Sequence, residues 1–264
     1  MFLKKLLVYN DFTVAANLAA QHCYQVASLC KGEVISLHVI NDNEDLEWAE
    51  KKCVEQIKKI KNYDETVVFT PLATKQDLFK GMNKWLEERE ISMTFMATHG
   101  KKDIQFLTGS HALKLIFNAE ITTMVVQHKT HLKPYKNILL PVFSHQTGMQ
   151  FPTSILCAFG SLFNASLTLL IPSTNSEQDK EEIQKTVDWL KEMLENDFLA
   201  IHVKTSVEPE KSFSKGVLAT ITKENIDLVA VLIGAKHHRD KSEKNKKFIQ
   251  AVITNDKHLP VLCL

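Results

Sequence analysis

Phe95-Met96-Ala97-Thr98-His99-Gly100, followed by Gly109-Ser110, is the stretch that decides the fold. An apolar strand runs into a glycine turn, then a loop, then a Gly-Ser pair that opens a helix. A helix start leaves amide donors without intrahelical partners and carries partial positive charge, so it suits a phosphate. Glycine lets the backbone approach such a guest with no Cβ in the way.

Upstream of this segment, strand and helix patterns alternate. Leu6–Val8 is a short apolar strand, Thr13–Cys30 an alanine-rich helix, and Glu33–Ile40 a strand rich in β-branched residues. Leu46, Ala49, Cys53, Ile57 and Ile60 recur at spacings of three and four, the stripe of an amphipathic helix. Thr66–Thr70 reads as a strand, Leu78, Met82, Trp85 and Leu86 as a further helical stripe. Met93–Thr98 and Thr122–Gln127 are strands bracketing the helix that begins near Gly109. Such an order predicts a parallel sheet with helices on both faces, because parallel neighbours need crossover connections.

The chain then repeats itself. At an offset of 132 residues, Lys4–Val8 falls on Lys136–Leu140 and Ser36–Val39 on Thr168–Ile171. With small register shifts, Ile91–Met96 matches Ile226–Val231, and Ile121–Val126 matches His258–Cys263. A helical stripe at Ile183, Val187, Leu190 and Leu194 belongs to the second copy. The joint falls near His131-Leu132-Lys133-Pro134, where proline discourages helix. The expectation is α/β: two doubly wound domains, residues 1–132 and 133–264, each with a mostly parallel five-stranded sheet of Rossmann-like type.

Composition narrows the function. Of 264 residues, 44% are apolar and 24% charged, a globular balance. The net charge of +1 gives no global reason to expect nucleic acid or an anionic membrane as partner. No apolar run approaches membrane-spanning length, and Met1–Val8 is too short for a signal peptide. Five cysteines (Cys23, Cys30, Cys53, Cys157, Cys263) lack metal-type spacing and suit buried thiols in a reducing, cytoplasmic setting.

Ligands of doubly wound sheets bind beyond the carboxyl ends of the strands, where strand order reverses. In the first half those ends carry Tyr9-Asn10-Asp11, Val39-Ile40-Asn41 and Ala97-Thr98-His99-Gly100, with Gly109-Ser110 just beyond. The grouping places a carboxylate and backbone near a base or sugar, and amides near phosphate.

At these residues the chain resembles the universal stress protein family in tandem form, over essentially its whole length. Asp11-Phe12-Thr13 is similar to the family's Asp-Phe-Ser, Leu37-His38-Val39 to its Leu-His-Val, and Met96-Ala97-Thr98-His99-Gly100 to its Met-Gly-Thr-His-Gly. Gly109-Ser110 stands for its closing Gly-Ser. The resemblance implies a regulatory module of the stress response that is not an enzyme. It implies ATP or AMP, with a divalent cation carried by the nucleotide. Asp11 and Val39 would contact adenine or ribose, Gly100, Gly109 and Ser110 the phosphates, with Asn10, Met96, Ala97 and His111 flanking them. Ala97 replaces the first motif glycine, and eight residues instead of nine separate Gly100 from Gly109. In the second half Phe143 stands where the aspartate falls, and no Gly-Ser follows Ile233-Gly234-Ala235, so no nucleotide is expected there. The resemblance further implies that the two halves pair within the chain as a pseudo-dimer, with scope for a homodimer and an unknown protein partner. The alternative is a nucleotide-independent interaction protein that keeps the fold without a working site.

Other signals read more plainly. Ser is a favoured N-cap, so Gly109-Ser110 also fits a simple helix start, and Asp11 fits a cap for the helix near Thr13. His99 lacks a carboxylate partner for base catalysis, and His128/His131 and His237/His238 lack the ligand cluster a metal needs. Lys236–Lys247 reads as a solvated basic loop without the aromatic interleaving of a nucleic-acid site. No P-loop motif occurs.

Overall fold

The computed structural model describes residues 3–40, 44–75, 81–98, 111–118, 121–143, 153–233 and 242–264. The chain divides into two compact units, Met1–Leu132 and Lys133–Leu264.

In the first unit the elements run β1 (Lys5–Tyr9), α1 (Val14–Cys30), β2 (Glu33–Val39), α2 (Leu46–Ile57), β3 (Phe69–Thr74), α3 (Met82–Glu88), β4 (Met93–Thr98), α4 (His111–Asn118) and β5 (Thr123–Gln127). Its strands are parallel and ordered β3-β2-β1-β4-β5. Order therefore reverses between β1 and β4, which opens a crevice at their carboxyl ends.

Local chemistry explains the frame. Thr13 caps α1, its hydroxyl accepting from the Ala16 amide at 3.1 Å. Lys31 ends the helix in the left-handed region (φ 52°), donating its N–H to the Ala27 carbonyl. At Gly32 an added Cβ would lie 3.0 Å from the Leu3 carbonyl oxygen, so glycine lets the turn pass close to the start of β1. The alternate residues Leu7, Ile35 and Leu37 pack with Met82, Trp85 and Leu86 of α3. The opposite face of the same strands is covered by α1 and α2, with Cys53 beside Asn10.

The strand expected at Thr66–Thr70 lies instead at Phe69–Thr74. Asp64 Oδ1 accepts from both the Thr66 amide (2.9 Å) and hydroxyl (2.7 Å), tying Thr66 into a turn. The strand continues through Pro71, which is tolerated because β3 is the outer strand of this unit's sheet.

The second unit repeats the plan: β6 (Asn137–Pro141), α5 (Thr153–Phe163), β7 (Ser166–Ser173), α6 (Glu177–Leu194), β8 (Ala200–Pro209), α7 (Phe213–Lys223), β9 (Leu228–Val231), α8 (Glu243–Ile253) and β10 (Val261–Cys263). Its parallel strands are ordered β10-β9-β6-β7-β8. The stripe Ile183, Val187, Leu190 and Leu194 is buried along α6. Part of the expected basic loop is helical. Lys244–Lys247 lie in α8, where Ser242 caps the Asn245 amide at 3.2 Å and Glu243 pairs with Lys246 at 2.8 Å. Residues 236–241 lie outside the described residues. β10 is shorter than the expected His258–Cys263, because Asn255 Oδ1 holds the Leu259 amide at 2.9 Å in the preceding turn.

Candidate functional site

The carboxyl ends of β1, β2 and β4 enclose a cleft of about 150 Å³. Asn10, Asp11, Val39, Met96 and Ala97 line it, together with Tyr9, Leu37, His38, Ala16 and Leu115. Five of the nine residues singled out in the sequence thus meet in one cleft. Gly100, Gly109 and Ser110 lie outside the described residues, as does His99. His111 begins α4.

Asn10 shapes the rim. Its amide donates to the Leu37 carbonyl at 2.8 Å, extending the β1–β2 pairing by one residue. Its Oδ1 accepts from the Phe12 amide at 2.9 Å, and its Nδ2 donates to Ser36 Oγ at 3.0 Å. The Asn10 carbonyl takes the Nδ1 proton of buried His38 at 2.6 Å, while His38 Nε2 lies 3.3 Å from Glu44 Oε2. These bonds turn the chain sharply out of β1. Phe12 consequently sits at φ 62°, a conformation that bulky side chains rarely adopt. Its ring packs against His38 at a tilt of 31° (centroids 4.1 Å apart), and Lys52 Nζ lies 4.4 Å from the centroids of both Phe12 and Trp48. The strained turn is therefore braced by His38 of β2 and by Trp48 and Lys52 of α2.

Asp11 is exposed at the mouth. One of its oxygens accepts from the Thr13 amide (3.0 Å) and hydroxyl (2.6 Å). The cap of α1 is thus Thr13, with Asp11 behind it, where the sequence suggested Asp11 itself. A carboxylate with a second oxygen has further lone pairs for a ligand's donors.

Val39 offers backbone. The β1–β2 register ends at Tyr9↔Leu37, and the Leu37 carbonyl faces β1. Ile40 faces the other way, donating to the Thr74 carbonyl at 2.9 Å. Alternation along the strand then aims the Val39 amide and carbonyl at the side where β1 has turned away. A planar base edge would find one donor and one acceptor there.

At the end of β4, Thr98 is 7% exposed and its hydroxyl has no hydrogen-bond partner among the described residues. Met96 and Ala97 supply apolar wall. Burial pushes the Tyr9 phenol up, keeping it neutral. No group of three His, Cys, Asp or Glu is placed to hold a metal among the described residues. In size the cleft compares with the cavity of about 150 Å³ that takes a benzene ring.

No family model and no curated protein matches the sequence. Solved structures do share the fold. A universal stress protein from Archaeoglobus fulgidus DSM 4304 is 12% identical, with 98% of this chain and 97% of that chain covered at a TM-score of 0.63. The cytoplasmic domain of a prokaryotic cation chloride cotransporter is also 12% identical, covering 98% of this chain and 94% of that one at a TM-score of 0.62. The protein has the tandem universal stress protein fold, mixed α/β with largely parallel sheets. Because the same fold also serves a transporter's cytoplasmic domain, function has to be argued from the site.

Proposed function

We propose that the chain is a member of the universal stress proteins and that its first unit binds an adenine nucleotide, ATP or AMP, in the cleft at β1, β2 and β4. The observation that carries the reading is the meeting of Asn10, Asp11, Val39, Met96 and Ala97 around one ring-sized cleft at the reversal of strand order. The Val39 backbone reads the base edge, the apolar walls of Leu37, Met96 and Ala97 hold its faces, and Asp11 accepts from the sugar hydroxyls. Gly100, Gly109 and Ser110 supply the phosphate contacts, and the nucleotide brings its own divalent cation.

The bound nucleotide acts as a regulatory ligand in a stress response, setting the surface shown to a protein partner, with no turnover. The role is cytoplasmic, which fits five cysteines that are all free thiols. A second reading, a nucleotide-independent interaction protein, draws support from the Ala97 methyl that lines the cleft in place of the glycine.

Calorimetric titration with ATP and with AMP in the presence of magnesium tests the proposal. Saturable binding that Asp11→Ala and Gly109→Val each weaken by about tenfold or more supports it. A folded protein that binds neither nucleotide overturns it in favour of the second reading.

A further inference from the structure

The second unit has a cleft of its own, about 190 Å³, between the starts of α7 and α8 and the end of β6. Its apolar floor is a cluster of three rings. Phe143 stands edge-on to Phe213 and Phe248, with centroids 5.1 and 4.8 Å away, and those two rings lie within 15° of parallel. All three are buried among their neighbours, leaving only part of each ring for the cleft.

The rim has the opposite character. Among the described residues Lys211, Lys244 and Lys247 line it against a single carboxylate, Glu210. Glu210 already pairs with Lys244 at 3.1 Å. Glu243, at the first turn of α8, pairs with Lys246. Among the described residues no carboxylate lies within ion-pair distance of Lys211 or Lys247, although Lys247 joins Lys246 in holding the Glu243 carboxyl below its usual range, so two lysines with only partly offset charge border an aromatic bowl. Like charges beside low-dielectric walls concentrate a positive potential over the opening.

We propose that this cleft binds a small aromatic carboxylate: a one- or two-ring body against the phenylalanine floor, with its anionic group between Lys211 and Lys247. Volume sets the upper size, since a cavity of about 150 Å³ takes one benzene ring. Chemistry sets the rest. The floor rewards an apolar face and offers it aromatic edge contacts. The rim then discriminates by charge. The site is independent of the nucleotide cleft, which belongs to the first unit and is built from strand ends and backbone.

Ligand-observed NMR and calorimetry on the full chain test this, with indole-3-carboxylate as probe and neutral indole as its control. The carboxylate is expected to bind at least about fivefold more tightly than indole, as two screened ion pairs would give. Lys211→Gln/Lys247→Gln, both exposed, should lose that margin with an unchanged thermal midpoint. Ser214→Phe, which fills the cleft from its rim, should weaken both compounds together. Saturating ATP should displace neither. No binding up to about 10 mM overturns the proposal. So does affinity that the double lysine variant leaves unchanged, or displacement of the probe by ATP. A failure of ATP to bind anywhere bears only on the first unit and leaves this result readable.

Discussion

His22 is enclosed within α1, and burial lowers its pKa from 6.5 to about 3. The folded chain therefore keeps this ring neutral over a range where the unfolded chain takes up a proton. Stability from this group is complete above about pH 6.5 and falls as pH drops toward 3. Between pH 7 and 5 the loss is about 2 kcal/mol. The urea midpoint should decline over that interval, and His22→Leu should flatten the decline; parallel slopes would count against the assignment. Ala97 makes a second prediction at this scale. Ala97→Leu should crowd the nucleotide cleft and weaken ATP by about tenfold or more, while Ala97→Gly should bind at least as well as the parent. Single residues were unevenly legible in the sequence. Asp11 and Val39 stand out because strand ends place them, whatever the side chains do next. The Asn10–His38–Ser36 bonding that bends the chain at Phe12 was not readable, since it joins residues 26 and 28 positions apart through side chains that a pattern cannot orient.

Elements were more legible than residues where periodicity was strong. Met93–Thr98 and the stripe of α6 stand in the structure where the sequence puts them. β3 slid along the chain because Asp64 competes for Thr66 and because an outer strand admits Pro71. Close approaches between elements were invisible from sequence. At Gly160 of α5 an added Cβ would sit 2.5 Å from the Asp197 carbonyl oxygen and 2.8 Å from the Phe198 ring. Gly160→Ala should therefore cost about 1–3 kcal/mol by chemical denaturation, reversing the usual helix preference for alanine. The entry of β9 supplies another test. Buried Asp227 accepts from the Lys136 and Asn137 amides (3.0 and 2.9 Å) and pairs with Lys133. Its counterpart Ser92 accepts from the Lys4 amide at 3.2 Å. Asp227→Ala removes the acceptor of the Asn137 amide and the carboxylate facing Lys133, leaving the Lys136 amide only the Pro134 carbonyl at 3.1 Å, and should destabilise by about 2–4 kcal/mol. Ser92→Ala should cost about 1 kcal/mol.

Across the whole molecule the two units share strand order and even this amide-holding device, yet their clefts differ in kind. One ends its first strand on an exposed carboxylate, the other on a buried ring. The stoichiometry follows from that difference. Calorimetry should count one adenine nucleotide per 264-residue chain, and Asp11→Ala should remove it without exposing a second class of site. A count of two would show that the second unit retained a nucleotide cleft. The Phe143 position has a consequence of its own. An aspartate there would set a carboxylate against Phe213 and Phe248, at a cost of several kcal/mol unless those rings changed as well. The three rings thus act as one interlocked unit, in which no single exchange of Phe143 for a charged side chain finds room or solvent.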